Sequence, residues 1–228
     1  MVVNGTTGES ATLDDKEKMA VIRYAVRQVD GRIPVIAGTG SNCTEHAVEL
    51  SRKAQELGAD ALLLISPYYN KANAEGMYRH FAETADAVDI PCILYNVPGR
   101  TGCSIPVSVV ERLARHPNIA GIKEASGDMS YAMKIAHCVG PDFALWSGND
   151  DITIPLLSIG GSGVMSRGGC GRRRRRARVV GRGQRGAVAQ NWGCPASCRT
   201  RVPRRVQAPL CAWWEFASRT VTTETAAH

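Results

Sequence analysis

The sequence Ile119-Ala120-Gly121-Ile122-Lys123 predicts a β-strand that ends on a lysine. Four apolar or small residues precede the charged one, and no polar residue alternates with them. Such a run is typical of a parallel strand in a sheet that is covered on both faces. Because a solvated lysine has little reason to end an apolar strand, Lys123 is the first candidate for chemistry.

The same alternation of a short apolar run with a longer amphipathic segment extends over most of the chain. Seven runs predict strands, at residues 2–3, 33–37, 61–66, 91–96, 119–123, 143–147 and 163–165. Six segments predict helices, at residues 14–29, 44–57, 74–88, 106–115, 131–139 and 152–159. Strand–helix alternation of this kind favours an α/β fold, either a (β/α)8 TIM barrel or a doubly wound sheet.

A barrel of this type needs eight strands, whereas the sequence supplies seven. Val2-Val3 looks like the end of a longer strand, so we expect a truncated barrel without its first βα unit. Two local signals mark helix ends. Thr12 with Asp15 resembles a capping box with the shorter acid, and Gly58 lies where the second helix should stop.

The charge distribution divides the chain after Ser166. The whole chain has a formal net charge of +7, yet residues 1–166 hold 14 basic and 19 acidic side chains, whereas residues 167–228 hold 14 and 2. We therefore predict a partial (β/α)8 barrel catalytic domain over residues 1–166 and an unrelated Arg-rich tail over residues 167–228. All basic residues of the tail are arginines, and no helix or strand period can be traced there. This pattern favours a disordered or out-of-frame tail over an arm that binds nucleic acid.

Composition is that of a cytoplasmic enzyme. No apolar run reaches the roughly 18 residues that a membrane span needs, and the N-terminus lacks the features of a signal peptide. The eight cysteines form no C-x-x-C pair, and the five histidines complete no zinc spacing. We expect neither a metal nor a membrane partner.

Polar residues follow the predicted strands at their carboxyl ends, where parallel barrels build their sites. In an apolar pocket the ammonium form of Lys123 is disfavoured, so that its neutral amine can attack a carbonyl carbon. Pairing of Lys123 with Glu124 or Asp128 is the alternative, and position alone weighs the two evenly.

Two further residues suit such a reaction. The phenol of Tyr95 is placed to move protons near an imine, and Arg100 in a Gly-rich loop is placed to clamp a carboxylate. A core tyrosine with a backbone partner and a solvated loop arginine are the respective alternatives. The turn at residues 5–10 offers backbone N–H groups and hydroxyls that suit an anion.

Five motifs taken together resemble the dihydrodipicolinate synthase family. They are Gly5-Thr6-Thr7-Gly8-Glu9-Ser10, Pro67-Tyr68-Tyr69-Asn70, Tyr95-Asn96-Val97-Pro98 with Arg100-Thr101-Gly102, Gly121-Ile122-Lys123-Glu124-Ala125-Ser126-Gly127, and Gly160-Gly161-Ser162-Gly163-Val164. They occur in the family's order and spacing, and the resemblance covers residues 1–166. It implies a (β/α)8 barrel with a small helical domain behind it, which this chain is expected to lack.

The resemblance implies a lyase of lysine and diaminopimelate biosynthesis. It would condense pyruvate with L-aspartate-4-semialdehyde through a lysine Schiff base to give 4-hydroxy-tetrahydrodipicolinate. Lys123 would form the imine, and Tyr95 would relay protons with Thr6 and Tyr69. In the family, Tyr69 reaches in from a neighbouring subunit, which implies a homodimer or homotetramer. Apart from the covalent lysine–pyruvate imine, no cofactor is implied.

The resemblance also implies how the substrates are held. Thr7 and the backbone at Met165 would bind the carboxylate of pyruvate, and Arg100 would bind that of the semialdehyde. Arg100 favours the synthase over related pyruvate-dependent sugar-acid aldolases that resemble N-acetylneuraminate lyase, which remain the alternative within enzymes. A non-catalytic basic protein that binds nucleic acid through its tail is the alternative outside them.

An allosteric site is implied only weakly. Ala11, Asn42 and Tyr68 fit the family pattern for inhibition by lysine. Lys18 and His46 stand where inhibited members tend to carry histidine and glutamate, which argues against feedback inhibition.

A barrel without its first strand leaves two strand edges unpaired, and unpaired edges invite aggregation. We therefore expect the chain as written to fold poorly and to have impaired activity.

Overall fold

The computed structural model describes residues 1–165, in which strands and helices alternate. The strands are β1 (Val2–Val3), β2 (Ile36–Gly38), β3 (Ala61–Ile65), β4 (Cys92–Asn96), β5 (Ile119–Glu124), β6 (Ala144–Ser147) and β7 (Gly163–Val164). The α-helices are α1 (Asp15–Val29), α2 (Thr44–Glu56), α3 (Ala74–Asp86), α4 (Pro98–Thr101), α5 (Val107–Leu113), α6 (Met129–Ile135) and α7 (Thr153–Ser158). Short 3-10 helices occupy Thr6–Gly8, Ser10–Thr12 and Ala136–Cys138. The predicted Arg-rich tail lies outside the described residues.

The seven strands form one parallel sheet in the order β1-β2-β3-β4-β5-β6-β7. Every strand pairs with the next one along the chain, which is the order of a (β/α) barrel rather than of a doubly wound sheet. The predicted truncated barrel is confirmed. Within residues 1–165, β1 and β7 each pair on one side only.

Side chains of successive strand residues pack on opposite faces of the sheet. Leu62 and Leu64 lie in a large buried cluster with Phe81 and other residues of the helices. Leu63 lies in a separate inner cluster with Ile93 and neighbours from β2, β4 and β6. The apolar runs in the sequence thus serve two cores at once, which explains why they do not alternate with polar residues.

A β-bulge in β5 interrupts this alternation. Cys92 pairs with Ile119 and Ile93 pairs with Gly121, so that Ala120 is an extra residue on β5. Ile119 and Ile122 consequently both lie in the cluster beneath the helices, although they are three residues apart. A regular strand would have placed Ile122 opposite Tyr95. The bulge puts Lys123 there instead.

Local hydrogen bonds explain where elements differ from their predicted bounds. The predicted strand at 33–37 begins only at Ile36, because Pro34 has no N–H to donate and the Val35 N–H binds the Asp60 carboxylate. Helix α6 starts at Met129, whereas residue 131 was predicted, because the Asp128 carboxylate accepts hydrogen bonds from the Ser130 and Tyr131 amides and caps the helix.

The predicted cap of the first helix is wrong. The capping box of α1 is formed by Asp14 and Glu17, each of which accepts a hydrogen bond from the other's backbone N–H. The prediction for Gly58 is confirmed. It follows α2 with a φ of +90°, the left-handed conformation that glycine adopts at helix ends.

In the described part of the chain, every helix is too short or too polar to pass through a lipid bilayer.

The bulge depends on a glycine, which generates a stability prediction. Gly121 has a φ of +154°, and a Cβ there would lie 2.2 Å from the Ala144 carbonyl oxygen and 2.7 Å from a Trp146 ring carbon. We expect Gly121→Ala to lower the free energy of unfolding by about 2–4 kcal/mol, through backbone strain and overpacking. Urea-induced unfolding measures the change.

Gly140→Ala is the matched control. A Cβ at Gly140 meets nothing within 4 Å, so the change should stay within about 0.5 kcal/mol. Equal losses in both variants would show that the bulge does not need its glycine.

Candidate active site

Three neighbouring strands place Tyr95, Lys123 and Trp146 side by side on the inner face of the sheet. Tyr95 pairs in register with Lys123, and Lys123 pairs with Trp146. Tyr95 and Trp146 are buried members of the inner cluster. The Lys123 amine lies 4.3 Å from the centre of the Tyr95 ring. The structure therefore brings together the two residues that the sequence singled out as amine and proton relay.

Burial sets the protonation of the amine. Desolvation lowers the pKa of Lys123 from 10.5 to about 8. The π face of Tyr95 favours the ammonium form, so burial lowers the pKa against this contact. At neutral pH a useful fraction of Lys123 is then the neutral, nucleophilic amine.

The alternative that Lys123 pairs with Glu124 or Asp128 is wrong. Glu124 turns to the other face of the strand and accepts hydrogen bonds from Asn96 and the Ser126 amide. Asp128 caps α6. Among residues 1–165, no ion pair involves Lys123.

The hydroxyl of Tyr95 is free to act on a bound molecule. Within residues 1–165 it makes no hydrogen bond, and it is not among the buried polar atoms that lack a partner. Tyr131 shows the contrasting case of a core tyrosine, since its hydroxyl donates to the Ile105 carbonyl at 2.7 Å. Burial raises the pKa of the Tyr131 phenol, so this group stays protonated.

A glycine makes room beside the amine. A Cβ at Gly148 would lie 3.1 Å from Cε of Lys123 and 2.5 Å from Cβ of Ala125. Its backbone N–H donates to the Glu124 carbonyl oxygen at 2.6 Å, which fixes the loop after β6 against the end of β5. A larger residue there would clash with Ala125 and press against the lysine side chain.

Thr7 and Met165, which were predicted to bind the pyruvate carboxylate, and Thr6 of the predicted proton relay all follow strands at the carboxyl end of the sheet. Thr6 is half-buried and Thr7 exposed in the 3-10 turn after β1, and no side-chain hydrogen bond within residues 1–165 involves either. Met165 packs against the inner cluster, while its backbone N–H donates to the Ser147 carbonyl. The substrate-binding roles stay predictions.

Arg100 and Tyr69 point outward from their loops. Arg100 is exposed on the short helix α4, which the sequence analysis missed. Tyr69 is 89% exposed and has a φ of +72°, an uncommon conformation for a bulky residue. Hydrogen bonds between Asn42 and Asn70 hold the loop that carries Tyr69 against the loop after β2.

Two residues of the predicted allosteric site lie at the surface. Ala11 is exposed and Tyr68 is 39% exposed. Lys18 and His46, which depart from the family pattern, both contact the Asp15 carboxylate, at 3.3 and 2.9 Å. The hydrogen bond from His46 holds the pKa of Asp15 below its usual range.

Sequence reasoning missed a row of buried polar residues behind the amine and the phenol. Asn96 and Glu124 directly follow Tyr95 and Lys123, and both are fully buried beneath the helix layer. A polar residue immediately after an inward-facing one at a strand end is the signal that could have revealed them.

One cavity lies away from this site. A cavity of about 400 Å³ opens at the amino ends of β4 and β5, lined by Arg115, His116, Asn118 and Asp142 among others. Barrel chemistry occurs at the opposite, carboxyl ends.

Within residues 1–165, no three His, Cys, Asp or Glu side chains gather in a way that could hold a metal ion.

Comparisons with known proteins identify a family with similar sequences. Residues 1–172 match the model described as the dihydrodipicolinate synthetase family. The chain is 56% identical over 162 residues to a 4-hydroxy-tetrahydrodipicolinate synthase of Pelobacter propionicus, covering 71% of this chain and 56% of that protein. The chain thus spans little more than half the length of the curated relatives it matches.

Solved structures show the same likeness. Dihydrodipicolinate synthase from Bacillus anthracis is 43% identical with a TM-score of 0.76, covering 83% of this chain and 65% of that one. The chloride-inhibited dihydrodipicolinate synthase from Acinetobacter baumannii complexed with pyruvate has the same TM-score and coverage at 41% identity.

The lowered pKa of Lys123 generates a prediction that needs no substrate. Modification by an amine-directed reagent should be half-maximal near pH 8 in the folded protein and near pH 10.5 in the urea-unfolded chain. Between these values the unfolded state binds more protons, so the free energy of unfolding should rise as pH rises through this window. Mass spectrometry of the Lys123 peptide measures the titration. A midpoint near 10.5 in both states would refute the buried-amine interpretation.

Proposed function

Because the chain belongs to the dihydrodipicolinate synthetase family, we propose that Lys123 forms a Schiff base with pyruvate as the first step of 4-hydroxy-tetrahydrodipicolinate synthesis. The observation that carries the proposal is a desolvated amine 4.3 Å from the ring of a tyrosine whose hydroxyl is free. The structure of the Acinetobacter baumannii relative in complex with pyruvate supports the choice of keto acid.

The proposed reaction uses the two inner residues in turn. The neutral amine of Lys123 attacks the keto carbon of pyruvate, and the resulting carbinolamine loses water to give an imine. Tyr95 donates and accepts the protons of these steps, because its hydroxyl has no protein partner to give up. Loss of a methyl proton converts the imine to an enamine, whose carbon attacks the aldehyde of L-aspartate-4-semialdehyde. Cyclisation with transfer of the imine to the substrate's own amine then releases Lys123.

Recognition of the carboxylates is assigned to the loops at the same end of the sheet. The turn at Thr6–Gly8 presents hydroxyls and backbone N–H groups that suit the carboxylate of pyruvate. We assign Thr7 to this role, since the backbone N–H of Met165, the other predicted contact, already donates to the Ser147 carbonyl. Arg100 is exposed at the rim, where a guanidinium can bind the carboxylate of the second substrate through two parallel hydrogen bonds.

The exposure of Tyr69 fits a homo-oligomer. An 89% exposed tyrosine in a strained backbone conformation is costly unless it meets a partner. We propose that Tyr69 enters the site of a second copy of this chain, where it joins Tyr95 and Thr6 in proton relay. Ala11, Asn42 and Tyr68 would lie near that interface, and the charge pattern at Lys18 and His46 argues against inhibition by lysine there.

Residues 1–166 are proposed to be the catalytic part, with residues 167–228 outside it.

Imine formation can be tested by trapping. Borohydride reduction in the presence of pyruvate should add one reduced pyruvate to the peptide that contains Lys123, because only an imine is reduced to a stable amine. Intact-protein and peptide mass spectrometry measure the adduct. Lys123→Ala should abolish it, whereas Lys134→Ala, which removes an exposed lysine on α6, should leave it unchanged. A trapped adduct on any other lysine, or none in folded protein, would refute the proposal.

The second substrate tests Arg100. We expect Arg100→Ala to raise the KM for L-aspartate-4-semialdehyde about 10–100-fold, since a charge-assisted hydrogen bond contributes roughly 1.5–3 kcal/mol. Pyruvate trapping should stay within about twofold of the unsubstituted chain, because the imine forms before the aldehyde binds. Steady-state kinetics and trapping are measured side by side.

Arg79→Ala is the control, since Arg79 is an exposed arginine that pairs with Glu75 on α3. A chain that traps pyruvate but consumes a sugar-derived aldehyde instead of the semialdehyde would point to the sugar-acid aldolases.

A further inference from the structure

A row of buried polar side chains runs behind the inner layer of the site. Each member follows the inward-facing residue at the carboxyl end of its strand, and each is fully buried. The row consists of Ser66 on the loop after β3, Asn96 on β4, Glu124 on β5 and Ser147 on β6. Burying the Glu124 carboxylate among apolar side chains costs free energy unless hydrogen bonds satisfy both of its oxygens.

One hydrogen bond joins the two strands that carry Tyr95 and Lys123. The side-chain amide of Asn96 donates to Oε2 of Glu124 at 2.7 Å. The orientation of this amide is fixed, because its Oδ1 accepts from the backbone N–H of Ile105 at 3.0 Å, and a backbone N–H can only donate. The other oxygen of Glu124 accepts from the Ser126 N–H at 2.5 Å. Both carboxylate oxygens are therefore satisfied by N–H donors.

Backbone bonds extend this link to the loops around the site. The Ala125 N–H donates to the Asn96 carbonyl at 2.9 Å, and the Gly148 N–H donates to the Glu124 carbonyl at 2.6 Å. Ser104 donates to Oδ1 of Asn96 at 3.3 Å. The ends of β4 and β5, the loop after β6 and the segment before α5 thus meet at one amide–carboxylate pair. Deleting the side-chain pair would leave these two backbone bonds in place, but it would remove the side-chain link between β4 and β5 and the hydrogen bonds that Asn96 accepts from the segment before α5.

We propose that Asn96 and Glu124 are positioning residues, whose hydrogen bond holds the Lys123 amine against the Tyr95 phenol while the imine forms. Neither side chain reaches the inner face, so both act through their chain neighbours. The proposal rests on the proposed imine chemistry. It adds that the reaction depends on a matched pair of hydrogen-bond donor and acceptor on the opposite face of the sheet.

The pair allows an exchange of roles that keeps its geometry. In Glu124→Gln, the side chain has only one oxygen to accept from its two donors, the Asn96 side-chain amide and the Ser126 backbone N–H. Its NH2 group must face the other donor, so one hydrogen bond is replaced by a repulsive contact between two donors. In Asn96→Asp, two carboxylates face each other without water. In the double variant, the carboxylate at position 96 accepts from Ile105 and from the new amide at position 124, whose oxygen accepts from Ser126. Every hydrogen bond is restored with the donor on the other strand.

The test compares the rate of pyruvate trapping on Lys123, per folded molecule, in the unsubstituted chain, both single variants and the double variant. We expect each single variant to trap about 10–100-fold more slowly, because an ångström of misplacement costs on the order of a hundredfold. The double variant should recover to within about threefold of the unsubstituted rate. Asn118→Ala is the control. Asn118 lies at the amino end of β5, and its side-chain amide donates to the carbonyls of Ala85 and Val88, so its loss should lower stability without slowing trapping.

The outcomes separate this proposal from the one it rests on. If the unsubstituted chain traps no pyruvate, the proposed imine chemistry is refuted. The pH titration of Lys123 by an amine-directed reagent then tests the positioning role alone. A midpoint that is the same in Glu124→Gln and in the unsubstituted chain would overturn the positioning role. If the unsubstituted chain traps but the single variants trap equally fast, or the double variant is no faster than they are, only the positioning role is refuted. Should neither single variant fold, Ser104→Ala decides, with about a two- to fivefold slowing expected and an unchanged rate contradicting the proposal.

Discussion

The site depends on a single extra residue in β5. Strand side chains alternate between two faces, so one inserted residue exchanges every position that follows it. Ala120 is that residue, and it turns Lys123 to the barrel interior while Ile122 packs beneath the helices. Without the bulge, an isoleucine would face Tyr95 and the amine would lie among the helices. The chemistry therefore begins with backbone register rather than with any property of the lysine itself.

The same register places opposite requirements on the two faces. On the inner face, desolvation must leave Lys123 unpaired, because a nearby carboxylate would restore its ammonium form. On the helix side, Glu124 must be fully paired, because a buried carboxylate without donors would destabilise the fold. Of these two consecutive residues, Lys123 makes no ion pair within residues 1–165, whereas each carboxylate oxygen of Glu124 accepts a hydrogen bond. The strand itself keeps the two apart.

The fold and the proximity of Lys123 to Tyr95 could be predicted from sequence because both depend on local patterns. Apolar runs such as residues 119–123 marked the strands, and a lysine at the end of one marked the amine. The helix cap at Asp14 was missed because Thr12 offers an equally acceptable pattern two residues earlier. Glu124 could not be assigned to the helix side, since its face depends on the bulge at Ala120 and hydrophobic periodicity does not show an insertion.

The two outer strands of the described sheet are only two residues long, which limits what the sheet can recruit. Growth of a sheet by addition of foreign strands needs a row of free main-chain donors and acceptors in sequence. β1 and β7 each present too short a row to act as a template for such assembly. Assembly of several copies through strand pairing would therefore have to start from chains in which strands inside the sheet have already separated, and not from β1 or β7 of the folded sheet.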